Sequence, residues 1–110
     1  MNEITLNGKS YVEKEKCGNK KIIRTYSAGV FYGEVESRNG KEGIIKNVRC
    51  LWYWDGAASL LQLALEGTSK KSNCKFTVEV PRIELTEIIE IIDVTEKAQQ
   101  NLDEVPVWKI

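Results

Sequence analysis

The pair Asn39-Gly40 stands between two runs rich in β-branched and aromatic residues, VFYGEVESR before it and KEGIIKNVRCLWYW after it. Asn-Gly readily adopts positive φ at both central positions of a two-residue turn, and the twist of that turn matches the twist of the strands it joins. The pair therefore predicts an antiparallel hairpin between strands near Val30–Ser37 and Glu42–Trp54. Asn7-Gly8 repeats the device inside ITLNGKSYV and predicts a second hairpin at the start of the chain. KKIIRTY reads as a further strand that ends before Ser27-Ala28-Gly29, small residues that suit a tight turn or bulge. Gly43, alone inside a long strand, marks a bulge or a close approach of backbone.

After Trp54 the period changes. In AASLLQLALEG the polar residues Ser59, Gln62 and Glu66 form one narrow stripe, which predicts a helix of about ten residues, apolar elsewhere, with Gly67 as its C-cap. Such a helix must pack on the sheet or on another subunit. NCKFTVEV alternates as a strand that Pro81 would stop, and IELTEIIEIIDV fits strand better than helix, although its isoleucines also satisfy a 3.6 period. Thr95 heads a short capped helix over EKAQQNLDEV with Glu96 in its first turn, and VPVWKI is an extended tail whose Trp108 must pack somewhere. Strands dominate and alternate without βαβ units. The expected class is α+β: a mostly antiparallel sheet, or a small barrel of hairpins, with two short helices.

A chain of 110 residues supports a single domain over 1–110, with one core. Sixteen basic and sixteen acidic residues cancel, which argues against general DNA binding but leaves room for a local pocket holding one or two phosphates. There is no histidine, and Cys17, Cys50 and Cys74 include no close pair, so a structural zinc site is not expected and the thiols read as reduced in a cytosol. No stretch reaches the ~18 apolar residues of a membrane span, and the N-terminus has no apolar signal region.

Two segments combine groups that could bind a ligand. In RTYSAGVFYGE, Arg24, Tyr26 and Ser27 lead into the Ala28-Gly29 turn, where backbone N–H groups could form an anion-binding nest; the alternative is a plain connector. In RCLWYWDGAASL, strand alternation places Trp52 and Trp54 on one face and Tyr53 with Arg49 on the other, while Lys46 shares the face of Trp52. A solvent-facing Arg49–Tyr53 pair would suit a nucleotide or simply cover the sheet. If the following helix starts near Gly56 or Ala57, the N–H groups of Ala57, Ala58 and Ser59 could hold a phosphate. Asp55 competes, as an N-cap that would occupy those donors, and Asp55-Gly56 could equally be a type I′ hairpin turn. Thr68, Ser69 and Lys70, in the basic loop GTSKKSNCK, could close a pocket if that loop folds back. No catalytic group is expected: Cys50 lacks a histidine base, and Ser27 and Ser59 have no evident partner.

In order, RTYSAGVFYGEVESRNGKE, KNVRCLWYWDGAASLLQLALEGTSK, NCKFTVEVP, LTEIIEIIDVTEKAQ and VPVWK resemble a family of small bacteriophage proteins, over roughly residues 21–109, leaving an N-terminal hairpin and loop (1–20) outside the match. The resemblance implies an accessory factor acting in the host cytoplasm. One such class is the anti-defence sponge, which sequesters a cyclic nucleotide signal of CBASS- or Thoeris-type immunity without catalysis or cofactor. By that analogy Arg24, Tyr26, Ser27, Ala28 and Gly29 would hold phosphates and Trp52, Tyr53 or Trp54 would stack bases. Thr68, Ser69 and Lys70 would close the pocket in a homo-oligomer, dimer or tetramer, with a cyclic dinucleotide the favoured ligand. The alternative is a module that binds host or phage protein and has no small-molecule ligand.

Overall fold

The computed structural model describes residues 3–6, 9–12 and 16–110. Strands β1 (Glu3–Leu6) and β2 (Lys9–Val12) form an antiparallel pair with Leu6 opposite Lys9; the Asn7-Gly8 turn expected to join them lies outside the described residues. The main sheet is antiparallel and six-stranded, built from β3 (Cys17–Thr25), β4 (Val30–Asn39), β5 (Glu42–Tyr53), β6 (Lys75–Phe76), β7 (Val80–Leu85) and β8 (Ile88–Thr95). Its order is β6-β5-β4-β3-β8, with β7 beside β6 on the same flank of β5. The hairpin forms, but Asn39 ends β4 and pairs with Glu42, so its two turn residues are Gly40 and Lys41, of which only Gly40 has positive φ, at 63°.

Strands β7 and β8 follow each other in one direction, the first pairing with β5 and the second with β3. They bend the sheet toward closure without pairing to each other, so the domain is a curled sheet and not a closed barrel. The strand expected over NCKFTVEV pairs in β6 only at Lys75–Phe76, the one expected over IELTEIIEIIDV is broken after Leu85 into β7 and β8, and Pro81 does not stop a strand: it sits within β7 on the sheet flank, where its missing N–H costs no ladder bond.

Curling buries both faces of the central strands. Ile22, Tyr32 and Leu51 join Leu63, Ala64, Phe76, Val94, Ala98 and Leu102 in a core beneath the helices α1 (Leu60–Glu66) and α2 (Glu96–Asp103). Their neighbours Ile23, Phe31, Ile45 and Val48 face the opposite way and form a second core with Leu85 and Ile88. Consecutive residues of one strand thus serve different cores, which explains why β3 and β4 read as apolar runs rather than clean alternations.

One expectation about β5 fails. Tyr32 pairs with Arg49 but Glu34 with Lys46, so β5 carries an extra residue at this point, and Asn47 adopts a φ of 49° to make it. A bulge of this kind reverses the alternation. Lys46, expected on the face of Trp52, points away from it, and Gly33 opposite the bulge has no room for a side chain, since a Cβ would lie 2.9 Å from the Lys46 carbonyl.

α2 forms as its sequence predicts, with the Thr95 hydroxyl accepting from the Ala98 N–H at 3.0 Å. The same hydroxyl donates to the Leu65 carbonyl, fastening the end of α1 to the start of α2. Helix α1 is shorter than the expected ten residues, and it leaves Leu61 and Leu65 exposed while Leu63 and Ala64 are buried. Among the described residues no helix is long and apolar enough to cross a membrane.

Candidate functional site

The features that survive folding as open binding surface gather at the Trp52 end of β5. Trp52 is 66% exposed and stacks on Trp108 of the C-terminal tail, with ring centroids 6.0 Å apart and planes 19° from parallel. Trp108 is itself 44% exposed, and Lys75 holds its ammonium 5.5 Å from the Trp108 ring centre. Among the described residues Lys75 makes no ion pair. Two aromatic faces and a cation therefore share one patch.

What holds the tail in place is Arg49. Contrary to the expectation of a solvent-facing side chain paired with Tyr53, Arg49 is only 6% exposed. Its Nε donates to the Thr77 carbonyl at 2.9 Å and its Nη2 to the carbonyls of Phe76 and Pro106, each at 3.2 Å, while the guanidinium lies over the Phe76 ring. Burial pulls its pKa below the ordinary arginine value, and Glu79, Tyr32 and Asp103 push it back. A planar fork with five donors can bridge the adjacent carbonyls of Phe76 and Thr77 to that of Pro106 in the tail, a geometry that the single ammonium of a lysine does not match. The clamp is reinforced where the Trp108 N–H donates to the Phe76 carbonyl at 2.8 Å and Val107 bridges in parallel to Phe76. Arg49 is thus a structural clamp that sets the position of Trp108.

The remaining candidates are arranged differently from their sequence reading. Tyr26 is 77% exposed, but the turn after it has no open nest: the Ala28 N–H donates to the Thr25 hydroxyl at 3.0 Å, and that hydroxyl donates to the Gly29 carbonyl at 2.7 Å. Arg24 is paired with Glu90 at 2.6 Å, and Ser27 donates to Glu87, so an acidic flank borders the turn expected to hold phosphate.

None of the three readings of Asp55 holds, and with only Gly56 at positive φ and a helix following, Asp55-Gly56 is no type I′ hairpin turn. Helix α1 begins at Leu60, not at Gly56 or Ala57, and its N-cap is Ser59, whose hydroxyl accepts from the Gln62 N–H at 3.1 Å. Gln62 reaches back to accept from the Ala58 N–H at 2.7 Å, a reciprocal cap that leaves no phosphate cradle. Asp55 instead accepts from Asn73 and from the Gly56 N–H, which hold its carboxyl below the usual range. Gly56, at φ of 84°, lets this turn lie against the loop after α1. Thr68 is buried and donates to the Asp55 carbonyl, Ser69 bonds the Gly56 carbonyl, and the Thr68 peptide is bracketed on both sides by Asn101. Thr68, Ser69 and Gly56 thereby stitch two loops together, and Lys70 lies 3.9 Å from Asp55. Ala57 packs against the helical core.

Folding does unite the two segments singled out in the sequence. Ala28, Gly29 and Val30 form one side of a shallow cleft of about 270 Å³ whose other side is Cys50, Leu51, Trp52 and Trp54. Trp54 is partly buried against the helical core, whereas Tyr53 is about half exposed. Trp108 and Lys75 were not among the sequence candidates; the only signal for Trp108 was that an aromatic in a terminal tail must pack.

Fold and site define a curled antiparallel α+β domain that displays an aromatic platform fixed from inside by a buried arginine. The chain belongs to the family described as Domain of unknown function (DUF6948), whose model matches residues 18–102. The match takes in Arg49 and Trp52 and stops short of Trp108. No curated protein and no solved structure matches the chain.

Proposed function

We propose that this protein is a non-catalytic interaction module that engages a protein partner through the Trp52–Trp108 platform. The observation that carries the reading is that two tryptophans lie open to solvent in a fixed stack, held by the Arg49 clamp. Leaving large aromatic rings in water is unfavourable, whereas tryptophans dominate binding energy at protein interfaces. The groups expected to hold phosphate or contact a nucleotide favour this reading too, since Arg24, Ser27, the start of α1 and Arg49 all have partners within the chain. The test is affinity capture from host extract with wild type, Trp52→Ala, Trp108→Ala and, as a control away from the platform, Leu61→Ala. A common partner lost by both tryptophan variants and kept by Leu61→Ala is expected; a partner kept by both tryptophan variants sinks the reading.

A second reading is favoured by Lys75 beside the open Trp52–Trp108 stack: a cation-flanked aromatic platform suits a nucleobase with a nearby phosphate. On this reading the chain is a sponge for a cyclic nucleotide immune signal, a phage factor acting in the host cytoplasm as a homo-oligomer. Thermal unfolding with cyclic di- and trinucleotides and cyclic ADP-ribose isomers tests it. Stabilisation should grow as RT ln(1 + [L]/Kd) and vanish in Trp52→Ala. No shift with any of them leaves the protein-partner reading alone.

A further inference from the structure

Arg49 has one corner that the clamp does not use. Its Nε and Nη2 are taken by the carbonyls of Thr77, Phe76 and Pro106, while Nη1 donates to no group among the described residues. Arg49 also forms no ion pair among them, although it is 94% buried, with 6% of its surface exposed. No fully buried side-chain nitrogen or oxygen among the described residues lacks a partner, so Nη1 reaches solvent. The hollow that Arg49 lines is a cleft of about 270 Å³, shared with Lys20 of β3, Glu79 between β6 and β7, Asp103 at the end of α2, and Val105 and Val107 of the tail. None of these residues lines the cleft beneath Trp52.

Half of the charge in this cleft is already neutralised. Lys20 donates to Asp103 at 2.9 Å and lies over the Tyr32 ring, and the same Asp103 oxygen accepts from the Tyr32 hydroxyl at 2.7 Å. Lys20 and Asp103 therefore satisfy each other. The Glu79 carboxylate accepts no hydrogen bond among the described residues, and its one ion pair there is a loose contact with Lys20 at 4.0 Å. Burial lowers the Arg49 pKa, and of the groups that push it back Glu79 acts most strongly, as befits two opposite charges that share a cleft without touching. The cleft thus offers a cationic donor, a carboxylate and a wall of two valines. A lone anion would meet Glu79 and Asp103, a lone cation would meet Arg49 and Lys20, and a hydrocarbon would strip water from Nη1 without replacing it. A zwitterion satisfies both groups at once. At about 270 Å³ the cleft falls just below the ~300–1,000 Å³ of drug-sized pockets, which suits a ligand smaller than those.

We propose that this cleft binds a free α-amino acid with a branched apolar side chain. Its carboxylate accepts from Arg49 Nη1, its ammonium donates to Glu79, and its side chain packs on Val105 and Val107. The site goes beyond the partner reading and does not rest on it. The test is calorimetric titration of the full chain with L-leucine, compared with isocaproate, which lacks the ammonium, isoamylamine, which lacks the carboxylate, and glycine, which lacks the side chain. Leucine should bind about 10–100-fold more tightly than either single-charge analogue, the worth of one hydrogen bond to a charged group. Glu79→Gln, at an exposed position, should weaken leucine by a similar factor and leave isocaproate no weaker. Val107→Ala should narrow the preference for leucine over glycine. In the wild-type protein leucine should shift the NMR signals of the Arg49 guanidinium, which reads the buried anchor without a substitution that would release the tail. These titrations contain no protein partner, so the cleft and the platform fail separately. No binding of leucine, equal binding of either single-charge analogue, or undiminished binding by Glu79→Gln overturns the amino-acid site. Unmoved Arg49 signals overturn Arg49 as the anchor, and an unchanged preference in Val107→Ala overturns the apolar wall.

Discussion

Replacing Arg49 by methionine tests the claim that a buried guanidinium organises the aromatic platform. The substitution keeps most of the aliphatic volume and removes donors to three carbonyls, those of Thr77, Phe76 and Pro106. A hydrogen bond to a charged group contributes about 1.5–3 kcal/mol, and a buried carbonyl left without a donor costs about 1–3 kcal/mol. Only the bond to Phe76 is fully buried, so water can recover part of the loss at Thr77 and Pro106. The expected destabilisation is therefore about 3–5 kcal/mol, less than three full bonds would give. For a domain of this size that lowers the urea midpoint by about 2 M. Tail release must accompany it, because Pro106 is held by Arg49 just before Trp108 stacks on Trp52. Near-ultraviolet circular dichroism should lose the coupled tryptophan signal, and fluorescence should shift to the red. Arg49→Lys should rescue little, since one ammonium cannot span from the 76–77 carbonyls to that of Pro106 as the planar guanidinium does. A loss below about 1 kcal/mol with unchanged tryptophan signals would refute the clamp.

Other expectations follow from particular contacts. Gly56→Ala should cost about 2–4 kcal/mol by urea unfolding, because φ is 84° and the new Cβ would lie 2.5 Å from the Thr68 hydroxyl and 2.6 Å from the Lys70 nitrogen. Gly40→Ala, with open space around it, should cost only about 1 kcal/mol. Thr95→Ala removes both the α2 cap and the bond to Leu65, for about 1–2 kcal/mol; recovery in Thr95→Ser would assign the loss to the hydroxyl. Tyr32 is fully buried, and burial, followed by its bond to Asp103, raises its pKa. A phenol raised in the folded state contributes stability that is present below its unfolded value near ~10 and lost as pH climbs above it. Stability should therefore fall above about pH 10, and Tyr32→Phe should flatten that fall; an equal slope in the variant would show that other groups cause it.

The turn and capping signals were legible because they are local. Gly40 supplies the positive φ of its turn, Thr95 satisfies an N–H three residues on, and Gly67 ends α1 at φ of 79°, all without reference to distant chain. For the same reason the antiparallel α+β class is legible in the residues alone. The site was less legible. Strand parity failed at Asn47, where one residue in a left-handed conformation moves every later side chain to the other face. The helix start was misplaced because Ser59 and Asp55 are both good caps, and the choice between them depends on Asn73, which draws Asp55 away.

By itself, then, the sequence determined the antiparallel α+β class, the central hairpin, the two helices and the absence of a long apolar span, since each follows from backbone preference over a few residues, but not the break at Thr86-Glu87 that divides the single strand expected over residues 83–94 into β7 and β8. Tertiary structure alone decided the function-bearing surface. Charged and aromatic side chains take their roles from what lies within a few ångströms, and those neighbours come from remote segments. Arg49 became a buried clamp when Phe76, Thr77 and Pro106 brought their carbonyls to it, and Trp52 became half of a platform when Trp108 arrived from the end of the chain.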